Sequence, residues 1–261
     1  MKKTLSVLTL ALALLVANAS LACTNFLFTK GATKDGSTMI TYAADSHTLY
    51  GELYYRPAAD HKAGAMLQLT DWDSGRPTFE IPEVAHTYSV VGNMNEHALA
   101  IGETTYGGRE ECWKGDIKGI DYGSLIYVTL QRAKNAREAI YWMTKLVNDY
   151  GYMSEGESFS ICDPNEVWIL EMQAKRSAPV KADLAKKLKY QYRDGAVWVA
   201  RRIPDGYVSG HANQARITQF PQYNKKDAKN FKAISFKHMD KIYNREVECV
   251  YSDDVIIYDR A

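Results

Sequence analysis

The sequence predicts a layered domain of the α+β class. Strand-like segments arrive in adjacent pairs on either side of one pair of helices, the order of a layered domain rather than of alternating βαβ units. The second of those helices carries an apolar face at spacings of three, four and seven. Composition agrees with a globular chain: 46% of the 261 residues are hydrophobic and 24% are charged.

Thr24–Lys30 (TNFLFTK) reads as the first strand and Ser37–Ala44 as the second, joined by the turn Lys34-Asp35-Gly36. Both are apolar with little alternation, so they are predicted to be buried on both faces. From Asp45 to about Pro82 a polar stretch with Gly and Pro predicts loops with short strands, one wall of a cleft. Thr87–Val91 and Ala98–Gly102 are strands around the turn Gly92-Asn93-Met94-Asn95-Glu96, and the run Glu103–Gly108 ends the second. A helix is predicted over 123–134. Asn135 caps the next, with Glu138 three residues on as the reciprocal partner. Ala139, Ile140, Met143, Leu146, Val147 and Tyr150 form its apolar face, and Gly151 stops it. Glu157–Cys162 and Glu166–Met172 are strands joined by Asp163-Pro164-Asn165. The Lys-rich stretch Ala174–Arg193 reads as a solvated loop or surface helix, and Val197–Arg201 as a further strand.

Residues 1–22 read as a secretory signal peptide. Met-Lys-Lys precedes an apolar run from Leu5 to Ala17, and Ser20-Leu21-Ala22 is a small-x-small cleavage site. The run is too short for a membrane span, which needs roughly 20 residues. A secreted or periplasmic location follows, and 261 residues less a 22-residue leader leaves 239, one sizeable domain over 23–261. Cutting after Ala22 makes Cys23 the first residue. Three readings of that cysteine stand side by side: a lipid-anchored cysteine, a packed or disulfide-bonded one, and an N-terminal nucleophile. Ser20 stands where a lipoprotein signal wants a Leu-like residue. A competing cut after Ala19 would leave a tripeptide in front of Cys23. In the third reading the α-amine, with a pKa of about 7.7–8.0, takes the thiol proton and no histidine is needed.

A net charge of +1 gives no support for a nucleic-acid or membrane-surface partner. The four cysteines Cys23, Cys112, Cys162 and Cys249 follow no zinc spacing, and no cofactor or metal is expected. A glycine-rich phosphate loop, H-E-x-x-H and Gly-x-Ser-x-Gly are all absent. Six histidines are present, but the local cysteine signature of a papain-like protease is not.

Several ordered motifs then carry a resemblance. Cys23-Thr24-Asn25-Phe26-Leu27, Asp35-Gly36-Ser37-Thr38 and Ala44-Asp45-Ser46 resemble the start of the C69 family of dipeptidases. So do Gly92–Glu96, Gly102-Glu103-Thr104-Thr105, Gly156–Phe159 with Asp163–Glu166, and Arg202–Asp205 with Ala212-Asn213-Gln214. The resemblance runs from Cys23 to roughly Ile217 and returns at Cys249–Val255. It implies the N-terminal-nucleophile hydrolase fold, a four-layer αββα sandwich, shared with bile salt hydrolases and penicillin V acylases.

Position by position, the resemblance implies Cys23 as nucleophile and its amine as base. It implies Asp45 as the group that orients the amine, and Asn213 and Thr105 as donors to the oxyanion. Asn95, Arg202 and His211 lie in or beside the matching motifs and are the substrate-binding candidates. An ordinary Glu96–Arg202 ion pair and a satisfied polar role for His211 are the plainer alternatives. The implied substrate is a dipeptide. N-acyl amino acids, conjugated bile acids and penicillin V would suit the same machinery, and association into a homo-oligomer stays open. Two departures are visible. Tyr42 stands where many relatives carry an arginine, and the chain stops where they continue. A shortened or silent copy, truncated at its C-terminus, is therefore the competing expectation.

Overall fold

A computed structural model describes residues 23–45, 51–114, 118–175, 186, 195–223 and 232–256. The proposed leader lies outside the described residues, as does nearly all of the Lys-rich stretch. Three strands come first: β1 (Cys23–Phe28), β2 (Met39–Ile40) and β3 (Ala43–Ala44). Short strands follow: β4 (Tyr55–Arg56), β5 (Ala59–Asp60), β6 (Met66–Thr70), β7 (Pro77–Pro82), β8 (His86–Thr87), β9 (Val90–Val91) and β10 (Met94–Asn95). They lead into the long β11 (Ala100–Gly107). Helices α1 (Glu110–Trp113), α2 (Tyr122–Leu130) and α3 (Ala136–Tyr150) separate it from β12 (Gly156–Cys162). Then come β13 (Val167–Lys175), β14 (Gly195–Arg202), β15 (Val208–His211), β16 (Ala233–Ser235) and β17 (Cys249–Tyr251).

Nine strands form one sheet in the order β16-β17-β14-β13-β12-β11-β10-β9-β4, antiparallel except for the β16–β17 pair. A smaller sheet runs β15-β1-β2, with β3 on the other end of β1. Helices α2 and α3 cover one face of the large sheet. Leu125, Ile140, Met143 and Val147 pack there against Ile101, Phe159, Ile161, Leu170 and Met172. Burying each such side chain contributes about 1.5–3 kcal/mol. The small sheet covers the other face through Leu27 and Ile40 on Ala100, Cys162 and Val167.

Helix α3 begins as its sequence predicts. Asn135 Oδ1 accepts the Glu138 N–H at 3.0 Å, and the Glu138 carboxylate accepts the Lys134 N–H at 2.8 Å. Gly151 closes the helix at φ +87°, a left-handed conformation that glycine adopts without steric penalty. Helix α2 ends at Leu130, four residues before the predicted end, and starts on a cap the sequence reading missed: Asp121 accepts the Ser124 N–H.

Two expectations need correction. The first strand pair is not buried on both faces. Side chains alternate in β1, with Asn25 and Leu27 inward and Phe26 outward at 47% exposure, beside exposed Met39 and Val208. Ser37–Ala44 is not one strand but the two short pieces β2 and β3. Among the described residues the layers are helix, large sheet and small sheet. No helix is described over the outer face of the small sheet.

A polar chain joins the sheets. Asn25 Nδ2 donates to Ser160 Oγ at 3.0 Å. His211 lies 2.8 Å from Ser160 Oγ through Nε2 and 2.6 Å from Thr104 Oγ1 through Nδ1. Burial, with the Arg216 charge adding to it, pushes the His211 pKa down to about 4. A neutral ring fits both contacts, with one nitrogen accepting and the other donating. The unfolded chain protonates this histidine near pH 6.5, whereas the folded protein does so only near 4. Its contribution to stability is therefore whole above pH 6.5 and is lost as pH falls toward 4, by roughly 3 kcal/mol. Urea midpoints of wild type and His211→Gln at pH 7 and pH 4 check this. The gap between them should narrow by about that amount on acidification, and a constant gap would sink the assignment.

Candidate active site

Cys23 opens β1 and faces a cleft of about 750 Å³. The cleft is lined by Tyr42, Asp45, Glu103, Thr105 and Asn213, and also by Asp71, Asp73, Trp113, Asp121, Tyr122, Glu155 and Glu157. Local backbone features aim these groups. A bulge between Thr105 and Gly107 breaks the β11–β12 register at the cleft, a common device beside functional sites. Asn213, just after β15, sits at φ +51°, a conformation asparagine tolerates better than most residues. Gly102 lets Tyr42 approach, since a Cβ there would lie 2.9 Å from that of Tyr42.

Asn213 is the hub. Its Oδ1 accepts from the Cys23 nitrogen at 2.6 Å, and its Nδ2 donates to the Thr105 carbonyl at 2.5 Å. That nitrogen is a peptide nitrogen in the whole chain and stands in for the α-amine that cleavage before Cys23 would release. The thiol is half-buried and its pKa lies above the ordinary value. Burial is the larger cause and the negative charge of Glu103 the second; the Asp45 N–H, the Asn213 side chain and the Thr105 N–H oppose them. These three groups all favour the charged form of the thiol.

Glu103 and Glu157 are both buried and hydrogen-bond each other as an acid pair. Tyr42 donates its hydroxyl to Glu103 Oε1 at 2.7 Å, and Thr105 donates its own to Glu157 Oε1 at 3.1 Å. Burial, then the Glu103 charge, raises the Glu157 carboxyl well above the usual carboxylate range. Tyr42 donates a hydrogen bond to Glu103 but brings no positive charge to it. Tyr42→Arg is therefore expected to lower the Cys23 pKa. Alkylation by iodoacetamide at pH 7 should speed up by roughly threefold per unit of fall, the tenfold gain in thiolate being partly offset by its lower nucleophilicity. An unchanged or slower rate would refute the influence assigned to Glu103.

The predicted residues divide. Cys23, Asp45, Thr105 and Asn213 come together. The Asn213 oxygen accepts from the Cys23 nitrogen, while Asp45 meets the thiol through its backbone N–H. Thr105 likewise offers its N–H, its hydroxyl being turned to Glu157. Asn95, Arg202 and His211 do not line the cleft. Asn95 is buried and spends its amide on the Leu130 and Ala133 carbonyls, tying the α2–α3 corner. Arg202 pairs with Glu248 at 2.9 Å, not with Glu96, whose carboxylate accepts the Ser89 N–H. His211 lies between the sheets. Sequence reasoning assigned no role to Glu103, although it quoted the motif that contains it, and it missed Tyr42 as a hydrogen-bond donor.

No disulfide forms among the four cysteines. Burial pushes the Cys162 and Cys249 thiols up to about 12, and Cys112 is also buried, so Cys23 is the accessible sulfur. Among the described residues no group of three or more His, Cys, Asp or Glu side chains is arranged to hold a metal, and no helix is long and apolar enough to cross a membrane.

A sheet-rich mixed fold with a thiol in an open polar cleft is compatible with hydrolases of the α+β class. Residues 56–254 match peptidase family C69, and the chain belongs to that family. It is 27% identical over 251 residues to a probable dipeptidase A of Streptococcus pyogenes serotype M3 (strain SSI-1), covering 87% of this chain and 48% of that protein. It is 27% identical over 214 residues to a probable dipeptidase of Latilactobacillus sakei, covering 75% and 40%. A probable dipeptidase B of Streptococcus pyogenes serotype M3 (strain ATCC BAA-595 / MGAS315) is 27% identical over 190 residues, covering 66% and 37%. The chain spans about half the length of these relatives, or less.

Proposed function

We propose that this protein is exported, cut before Cys23, and hydrolyses the amide bond of dipeptides by acyl transfer through the Cys23 thiol. The observation that carries the proposal is the Cys23 nitrogen held at 2.6 Å by Asn213 beside a half-buried thiol in the cleft. Once freed, that nitrogen is a base on the same residue as the nucleophile. The thiol pKa is raised, so a base is needed at neutral pH.

The amine takes the thiol proton as sulfur attacks the peptide carbonyl. The oxyanion forms among the donors that now face the sulfur, the Asp45 and Thr105 N–H groups and the Asn213 amide. Collapse breaks the C–N bond, and the ammonium gives its proton to the leaving amine. Water then attacks the thioester, passing a proton to the amine, and the acid departs as the thiol is restored. The relatives, which are named as probable dipeptidases, support the dipeptide as substrate.

The test is intact mass and N-terminal sequencing of the secreted protein, with and without iodoacetamide, beside a dipeptide assay. A chain starting at an unmodified Cys23 that gains one alkyl group and loses activity is expected. A chain starting at Ser20, or at a lipidated Cys23, has its amine blocked and would overturn the proposal.

A further inference from the structure

A second cavity, of about 360 Å³, adjoins the Cys23 cleft, and Tyr106 lines both. Two backbone segments pass from one to the other: Gly107 and Asn213 line the cleft, while Gly108 and Ala215 line the second cavity. Tyr106 stands at the junction. Its hydroxyl reaches past β12 to donate to the Met172 carbonyl on β13 at 3.0 Å, and a Cβ at Gly156 would overlap its ring. Strands β13 and β14 make the floor of the cavity, and its walls are the start of α1 and the segment after Asn213. Val197, Val199, Ala215, Ile217 and Val255 give it an apolar lining. Two charged residues also reach it, Arg109 and Glu171. The Glu171 carboxylate is engaged by the wall itself, accepting the Arg216 and Ile217 N–H groups. Gln173 lies at the floor, and its buried Nε2 has no hydrogen-bond partner. An apolar cavity of this size with a few polar groups is the usual form of a small-ligand site.

Resting on the reading of Cys23 given above, we propose that this cavity takes one bulky apolar side chain of a dipeptide, of the size of Leu, Met or Phe. The dipeptide backbone lies in the cleft at Cys23, and the side chain passes Tyr106 to pack on Val197, Val199 and Ile217. The Gln173 Nε2 then finds the acceptor it lacks in a backbone oxygen of the dipeptide. An alanine side chain leaves most of the cavity empty, whereas a larger one removes apolar surface from water. Even a single methylene in such a pocket is discriminated by roughly 10–200-fold.

Isothermal titration of Ala-Ala, Phe-Ala and Ala-Phe into the secreted Cys23→Ala protein tests the proposal without turnover. One of the two Phe peptides should bind roughly tenfold or more tightly than Ala-Ala, and the other should not, because the cavity lies to one side of Cys23. High salt should leave that preference in place, since it rests on apolar burial and not on charge. Ala215→Leu narrows the cavity from its exposed rim, and Val197→Thr sets a hydroxyl in its half-buried wall. Each should reduce the preference several-fold, and near-ultraviolet circular dichroism checks that each is folded. Equal binding of the three peptides, binding of none, or a preference that both folded variants leave intact overturns the proposal. A wild-type protein that hydrolyses all three peptides equally would leave the nucleophile reading standing while the side-chain pocket falls. Selective binding without hydrolysis by wild type would do the reverse.

Discussion

Cys23→Ala should lose about 10⁶ in kcat for dipeptide hydrolysis, the scale on which another acyl-transfer enzyme falls when its nucleophile is removed. Ala keeps the backbone nitrogen and its bond to Asn213, so folding and peptide binding should survive while acyl transfer does not. Cys23→Ser separates nucleophile from base. It retains the amine and the three donors but replaces a thiol with a far less acidic hydroxyl, so it should fall most of the way toward Ala. Asn213→Ala tests the hub. It removes the acceptor for the Cys23 nitrogen and one donor at the sulfur together, and it should cost on the order of 10²–10³ in kcat, the range for one oxyanion donor. Steady-state hydrolysis with protein of verified N-terminus checks all three. Wild-type-like turnover by Cys23→Ala would remove the thiol from the mechanism.

The parts of this site that were legible in the sequence are those fixed by local rules or by motif order. Asn135 with Glu138 marked the start of α3, because that signal acts over three or four residues. Thr105 and Asn213 were singled out because they stand in motifs, and a motif locates a residue without saying which of its atoms it presents. The residue type allows the Thr105 hydroxyl or its backbone N–H to face the thiol, and in the fold the hydroxyl is turned to Glu157. The acidic character of the cleft could not be read from the chain. Asp45, Asp71, Glu103, Asp121 and Glu157 come from five separate segments that only the fold collects, in a chain whose net charge is +1. The burial expected for the first strand pair failed for a related reason: an apolar strand announces hydrophobicity, not whether a layer covers it. Strands β16 and β17 are three residues each and carry no periodicity to detect.

Arg137 illustrates the same limit, and its loss should be the most destabilising single change outside the cleft. It sits in the first turn of α3 and is buried. Its guanidinium grips Glu166 with two bonds, Nε to Oε1 at 2.6 Å and Nη2 to Oε2 at 2.9 Å. The remaining hydrogens go to the carbonyls of Ile242 (2.6 Å), Asn244 (2.8 Å) and Val247 (3.2 Å). All five donors of the side chain are therefore used. One residue ties α3 to the turn before β13 and to the segment leading into β17. The Asp163–Glu166 motif is structural in the same sense, since Asp163 Oδ2 accepts the Ala136 N–H at 2.8 Å beside it. Arg137→Ala would leave Glu166 a poorly solvated charge and three carbonyls without donors, so it should destabilise by about 3–5 kcal/mol. Arg137→Lys keeps the charge but cannot reproduce the fork, and it should recover only part of the loss. Urea unfolding of the two variants decides. A loss below about 1 kcal/mol for Ala would mean that the C-terminal segment holds its place without Arg137.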